Sequence, residues 1–199
     1  MNPLLLDLPG EFSSHRLLLR RYRPGDGALY YQMLQTNWDH LYEFLPSSLL
    51  AVHSAEDAEV VVRRLMADWN LRTLLIFGVW EKASGVYVGE SYLANADWEV
   101  PRIEVGYFVV RSSTGKGYAT EAARATIGYA FEHLKVRRVD LRCAADNLAS
   151  QRVAEHCGFV QEGRFRQHHR KKDGGLVDML WYGLLLSEWQ KQVSVKPVR

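Results

Sequence analysis

Hydrophobic and polar positions along this chain change period several times, and one change is sharper than the others. Between Glu104 and Val110 the residues Val105, Tyr107 and Val109 alternate with Glu104, Phe108 and Val110. β-Branched and aromatic residues at a period of two predict a strand. Ser112, Ser113 and Thr114 then turn the chain into Gly115-Lys116-Gly117, and the period becomes helical. Ala119, Ala122, Ala123, Thr126, Ile127, Ala130 and Phe131 fall on one helical face. A strand, a glycine loop and a helix aim free backbone N–H groups at an anion, because the first amides of a helix lack internal partners. Glycines at 115 and 117 remove the Cβ atoms that would hold a phosphate away. The stretch reads as a pyrophosphate cradle; a glycine-rich connection with no ligand is the plain alternative.

Other elements follow the same logic. His15 to Arg21 predicts a strand closed by Pro24-Gly25-Asp26, and Ala28 to about Gln35 a helix. Asn37 to Leu45 reads as a second short helical or irregular piece ending at Pro46, crowded with Trp38, Tyr42 and Phe44. Ser54 is placed to cap a helix with a stripe of Ala58, Val61, Val62, Leu65 and Trp69. Residues 73–81 and 86–93 predict a hairpin around Lys82-Ala83-Ser84-Gly85, with 95–101 as a connector. Arg138 to Ala144 predicts a strand, Asn147 to His156 a short helix ended by Gly158, and Val160 to Arg170 and Leu176 to Leu186 two last strands. From Ser187 the tail is polar and no element is predicted. The order is that of an α/β domain with a mixed central sheet.

Composition changes this picture little. The length of 199 residues fits one domain with a substantial core, and a net charge of +2 gives no push toward nucleic acid or membrane. No direct nucleic-acid contact is expected. No apolar run approaches the ~18 residues that cross a bilayer, and the N-terminal segment, interrupted by Asp7 and Glu11, does not read as a secretion signal. Cys143 and Cys157 have no metal-ligand spacing and read as buried small hydrophobes of a cytoplasmic protein. No metal site is expected. The basic run Arg164 to Lys172 reads as a solvated hairpin, with contact to an acidic partner as its functional alternative.

Phosphate motifs of two common kinds do not match the loop: Thr120 stands where a dinucleotide loop needs its third glycine, and Gly117 is followed by Tyr118 rather than lysine. The string Thr114-Gly115-Lys116-Gly117-Tyr118-Ala119 instead resembles the acyl-CoA signature of the GNAT N-acetyltransferases, departing from it at Thr114. GKGYATEA is similar to the Rim-type branch, the ribosomal-protein N-terminal acetyltransferases. Further matches follow in order: Arg16-Leu17-Leu18-Leu19-Arg20, Gly85-Val86-Tyr87-Val88-Gly89, Asp146-Asn147-Leu148-Ala149-Ser150, Glu155-His156-Cys157-Gly158-Phe159 and Glu162-Gly163. The resemblance covers about residues 14–189 of a single domain.

That resemblance implies an acyl-CoA N-acyltransferase fold: a mixed sheet of about six to seven strands flanked by about four helices, with a splay between two central strands. It implies acetyl-CoA as cofactor and direct transfer to an amine in a ternary complex. Backbone groups of Phe108, Val109 and Val110 would hold the pantetheine arm, and Gly115, Lys116, Gly117, Tyr118, Ala119 and Thr120 the pyrophosphate. Asn147 would bond the arm's amide, against the alternative of a simple helix cap. Ser150 is the nominee for the acid that protonates the leaving thiolate, because Ala154 stands where many relatives carry a tyrosine. Glu104 is the nominee for the base, against the alternative of a strand-end salt bridge to Arg102 or to a basic residue on a helix. Trp38, Tyr42 and Phe44 would wall the acceptor side. The acceptor is an amine, either a protein N-terminus or a small molecule, and the resemblance leaves room for a homodimer or a non-catalytic acyl-CoA sensor.

Overall fold

Ser54 shows how closely local chemistry fixes the elements. In a computed structural model that describes residues 2–195, its Oγ accepts from the Asp57 amide at 3.0 Å and starts helix α2, Ala55–Leu71. Ala58, Val62 and Trp69 of the expected stripe are buried. At the other end of the chain, Gly158 closes α4, Leu148–Cys157, with φ +82°, a conformation glycine adopts without strain.

Helix α1 corrects the sequence reading, for Gly27–Leu41 is one helix, not a helix followed by a separate piece. Thr36 and Asn37 look like breakers, yet both are satisfied along the helix. Thr36 Oγ1 donates to Gln32 O at 2.8 Å, and Asn37 Nδ2 donates to Met33 O at 3.0 Å. A short 3₁₀ turn, Ser47–Ala51, follows.

Among the described residues eight strands form the sheet, in the order β1-β2-β3-β4-β5-β6-β8-β7. They are β1 Glu11–Ser13, β2 Leu17–Arg21, β3 Leu74–Glu81, β4 Tyr87–Asp97, β5 Arg102–Val109, β6 Arg138–Ala144, β7 Val160–Arg170 and β8 Leu176–Leu185. The count exceeds the expectation because β1, three residues long, carries no periodic signal of its own. β4 also extends through residues read as connector. β5 and β6 pair in parallel from Arg102↔Arg138 to Glu104↔Asp140, where their shared register ends. α3, Tyr118–Tyr129, ends in a π-helical turn, Ala130–Leu134. A fifth helix, α5, Leu186–Val195, stands where no element is predicted, because its polar composition masks its amphipathic spacing. Its Trp189 lies 6.0 Å from the Phe131 ring and under the Arg124 guanidinium at 5.1 Å.

Two compact units divide the chain. One comprises Pro9–Tyr92 and Tyr107–Ala122; the other comprises the residues up to Leu8, Leu93–Gly106 and the chain from Ala123 on. In the first, α1 and α2 cover a core that includes Tyr22, Tyr30, Leu41, Val62, Trp80 and Val110. In the second, Ile103, Val139, Leu141, Ile127 and Leu184 are fully buried.

Candidate functional site

In the first unit, β5 leads through a 3₁₀ turn at Arg111–Ser113 into the glycine loop and α3. Gly115 and Gly117 adopt φ +75° and +78°, where a side chain would be strained. A Cβ on Gly115 would meet nothing within 4 Å, and one on Gly117 only Arg16 Nη2 at 3.5 Å. The residues from Thr114 to Gly117 are exposed, so the loop opens outward. The helix ladder opens with Glu121 N donating to Gly117 O at 3.1 Å, which leaves the amides of Tyr118 and Ala119 ahead of the intrahelical ladder. The Lys116 ammonium makes no hydrogen bond or ion pair among the described residues. Thr114 Oγ1 turns inward to donate to Arg111 O at 2.9 Å. These features fit a diphosphate: open space, two glycines at positive φ, and a lysine ammonium that makes no hydrogen bond or ion pair among the described residues.

Strand β5 supplies the main chain expected to hold an acyl carrier's arm. His40 Nε2 lies 3.2 Å from Val109 O. Val110 departs from the expectation: its N–H donates to Val88 O at 3.0 Å, and its carbonyl accepts from Ser113 N at 2.9 Å. Its main chain is therefore engaged within the protein, while the Val109 carbonyl meets His40 and the Phe108 carbonyl faces Gly89 of β4. Trp38 lines a cavity of about 420 Å³ with Tyr31, Leu34, Gln35, Leu50, Val52 and His53. The Tyr42 ring packs 5.7 Å from Trp38, while Phe44 is largely exposed and lines neither this cavity nor the Trp38 ring pair.

The second unit holds the residues nominated for proton transfer. Glu104 Oε2 accepts from Asn95 Nδ2 at 3.0 Å and meets Arg142 Nη2 at 2.5 Å, so Glu104 is salt-bridged, but to Arg142 of β6 rather than to Arg102 or a helix residue. Its Oε1 accepts no hydrogen bond among the described residues. The Arg142 guanidinium also lies 5.2 Å from the Trp181 ring. Asn147 caps α4 as the plain alternative anticipated, its Oδ1 accepting from Ser150 N at 3.0 Å. The Asn147 Nδ2 makes no hydrogen bond among the described residues. The Ser150 hydroxyl bonds the thiol of Cys143, whose titration burial pushes up. Burial pushes Cys157 up to about 12, so neither thiol is a ready nucleophile. Among the described residues no group of His, Cys, Asp and Glu is placed to hold a metal.

Two groups escaped the sequence reading. Arg16 reaches the glycine loop, with Nη1 donating to Lys116 O at 3.0 Å and Nε to Glu121 Oε2 at 2.6 Å. Glu90 is buried among Tyr22, Tyr30 and Tyr87, and burial pushes its carboxyl up to about 7. A signal for Glu90 existed: it shares the phase of Val88 and Tyr92, both apolar, in a strand buried on both faces.

A mixed sheet with a glycine loop opening one helix defines an α/β protein that binds an anionic carrier. The chain belongs to the GNAT acetyltransferases: the family described as Acetyltransferase (GNAT) domain matches residues 16–160. It is therefore an N-acetyltransferase of the acetyl-CoA-dependent kind. It is 27% identical over 186 residues to the "Putative ribosomal N-acetyltransferase YdaF" of Bacillus subtilis (strain 168), covering 89% of this chain and 95% of that one. A solved structure described as a probable acetyltransferase superposes with TM-score 0.80 at 27% identity, over 90% of this chain and 98% of that one. RimL, described as a ribosomal L7/L12 alpha-N-protein acetyltransferase in complex with coenzyme A, shares the fold with TM-score 0.79 at 19% identity, over 91% and 98% of the two chains. Among the described residues no helix is long and apolar enough to cross a membrane.

Proposed function

We propose that this acetyltransferase acts on the α-amine of a protein N-terminus, with the glycine loop gripping the diphosphate of acetyl-CoA. The observation that carries the donor half is the open loop at Gly115 and Gly117, with Lys116 between them making no hydrogen bond or ion pair among the described residues. The names of YdaF and RimL support the acceptor half. When bound, acetyl-CoA supplies an acetyl group already activated as a thioester. This chain's residues bind, orient and move protons. Amides from Gly115 to Thr120 and the Lys116 ammonium hold the diphosphate, and the main chain of Phe108 and Val109 holds the arm. Asn147 Nδ2 is assigned to the arm's amide, since its Oδ1 is engaged in the cap. Trp38 and Tyr42 select the acceptor, and Phe44, largely exposed, is the weakest of the three.

Glu104 Oε1 is the assigned proton acceptor, with Asn95 and Arg142 fixing the other oxygen. Ser150 Oγ is the assigned donor to the departing thiolate, oriented by its bond to Cys143. Release of free thiol from acetyl-CoA, followed across N-terminal peptides, amino acids and polyamines, tests the acceptor. Turnover confined to peptides bears the proposal out. Turnover only with small amines replaces its acceptor half, and tight donor binding without turnover for any amine reduces the chain to a sensor. Glu104→Gln and Ser150→Ala should each lower turnover at least tenfold with donor affinity within about twofold. Wild-type turnover in either variant removes that residue from the mechanism.

A further inference from the structure

One residue of the GKGYATEA string, Glu121, neither binds the donor nor moves a proton in the proposed reaction. Glu121 stands in the first turn of α3, close in sequence to the amides that would meet a diphosphate. A carboxylate is favourable at a helix N-terminus in isolation. It opposes a second anion there.

The structure deals with that charge in one place. Glu121 Oε1 accepts from Ser14 Oγ and from the Arg16 amide, both at 2.7 Å, and Oε2 from Arg16 Nε at 2.6 Å. Burial pushes the Glu121 carboxyl up, but these hydrogen bonds outweigh it and hold the group below its usual range. Its side chain is only 17% exposed. The same guanidinium donates through Nη1 to Lys116 O at 3.0 Å and lies 4.6 Å over the Tyr118 ring. Tyr118 in turn hydrogen-bonds Glu81. The main chain of Arg16 is itself fixed, since its carbonyl accepts from Lys82 N at 2.8 Å.

Peptide geometry turns this contact into a statement about the loop. The carbonyl of Lys116 and the N–H of Gly117 belong to one planar trans unit and point in opposite directions. With the carbonyl held on Arg16, the Gly117 N–H faces away from Arg16. Gly117, free to adopt either sign of φ, would otherwise allow that plane to flip.

We propose that Arg16 is a positioning residue for the donor's diphosphate: it locks the Lys116–Gly117 peptide with its N–H outward, and it neutralises Glu121 so that the head of α3 accepts a further anion. This rests on the reading of the loop as a diphosphate cradle. It sets a guanidinium behind the loop, carried by the bend that precedes strand β2.

Calorimetric titration of Arg16→Ala, Arg16→Lys, Glu121→Gln, the double variant Arg16→Ala/Glu121→Gln and Gly117→Val provides the test. The ligands are CoA, 3′-dephospho-CoA and pantetheine, which lacks the diphosphate. Arg16→Ala should weaken CoA and dephospho-CoA equally, by about 10- to 100-fold, the equivalent of one charged hydrogen bond. Pantetheine should change less than about twofold, which also reports that the protein is folded. Adding Glu121→Gln should recover part of the loss, and Arg16→Lys, which keeps the charge, should lose less than Arg16→Ala. Equal weakening of all three ligands would make Arg16 merely structural and overturn the proposal. So would a loss confined to CoA, because Arg16 would then serve the 3′-phosphate, and so would a double variant no better than Arg16→Ala. Gly117→Val separates the two readings: if it spares CoA binding, the cradle itself fails; if it abolishes CoA binding while Arg16→Ala stays within about twofold of wild type, only the role of Arg16 fails.

Discussion

Glu90 makes the stability of this protein depend on pH in a direction opposite to that of most carboxylates. It is 3% exposed, in β4, and receives a hydrogen bond from Tyr22 Oη at 2.5 Å. Tyr87 also donates to it, and the two hydroxyl oxygens lie 3.0 Å apart. Among the described residues no arginine, lysine or histidine pairs with it. The groups facing it are phenols, those of Tyr22, Tyr30 and Tyr87, each pushed well above its usual titration range by burial. Burial therefore dominates, and despite two hydroxyl donors the carboxyl moves from 4.5 to about 7.

The sign follows from proton counting. Between pH 4.5 and about 7 the folded chain holds a proton on Glu90 that the unfolded chain has lost. Stability from this group is complete below 4.5, falls through the window, and is gone above about 7. At about 1.4 kcal/mol per pH unit the window is worth about 3 kcal/mol. Glu90→Gln is uncharged throughout, so subtracting its unfolding free energy from that of wild type isolates the titration and cancels every other group. Urea unfolding of both proteins at intervals from pH 4.5 to 8 is the assay. The variant should gain on wild type by about 3 kcal/mol across the series. Tyr22→Phe removes a donor that holds the carboxyl down, so its window should extend to higher pH. A difference between Glu90→Gln and wild type that stays flat from pH 4.5 to 8 would refute the assignment of a buried, unpaired carboxyl.

Three other perturbations test the fold around the site. Ser54→Ala removes the cap on α2 and should cost about 1 kcal/mol in urea unfolding, with an unchanged midpoint counting against the cap. Gly89→Ala would place a Cβ 2.1 Å from Phe108 O, a backbone atom that cannot step aside. It should cost about 3 kcal/mol or more, and a wild-type unfolding midpoint would show that β4 and β5 yield there. Cys143 and Cys157 are buried with thiols pushed up, so iodoacetamide at pH 8 should label neither in the folded protein and both in urea. Rapid labelling of either without urea would contradict that burial.

The parts of the fold that the sequence disclosed were those whose signal is local. β5, the glycine loop and α3 announce themselves by a change of period around two glycines, and the caps at Ser54 and Gly158 by residue type. What stayed hidden depends on partners distant in sequence. Thr36 and Asn37 discourage a helix on propensity; their side chains bond carbonyls one turn back, and the distant partner is the Arg111 amide, which donates to Asn37 Oδ1. α5 rests on Trp189 finding Arg124 and Phe131. At the site, the loop was legible because glycine's role is steric. The engagement of Val110 and the pairing of Glu104 with Arg142 were not, because a neighbouring strand decides each. Arg16 was visible only as part of a strand, since nothing in its surroundings along the chain points to residues one hundred positions later.

A loop that must present amides to an anion meets a conflict in its own composition. Left-handed positions call for glycine, and glycine loses the most conformational entropy on being ordered. A mobile loop would incur that loss at the moment of binding, at the expense of affinity. Here every residue flanking the two glycines is tied down: Thr114 to Arg111 O, Lys116 O to Arg16, Tyr118 to Glu81, and Glu121 to Ser14 and Arg16. The ordering cost is thus met during folding. It follows that the departure at Thr114 need not weaken the cradle. Its hydroxyl fixes the turn into the loop from inside, and the charge a longer side chain would bring comes instead from Lys116 on the open side. A Thr114→Gln variant should therefore gain little affinity for CoA, because the new side chain gives up the bond to Arg111 O while adding a neutral contact. A gain of tenfold or more would show that the loop is not already organised.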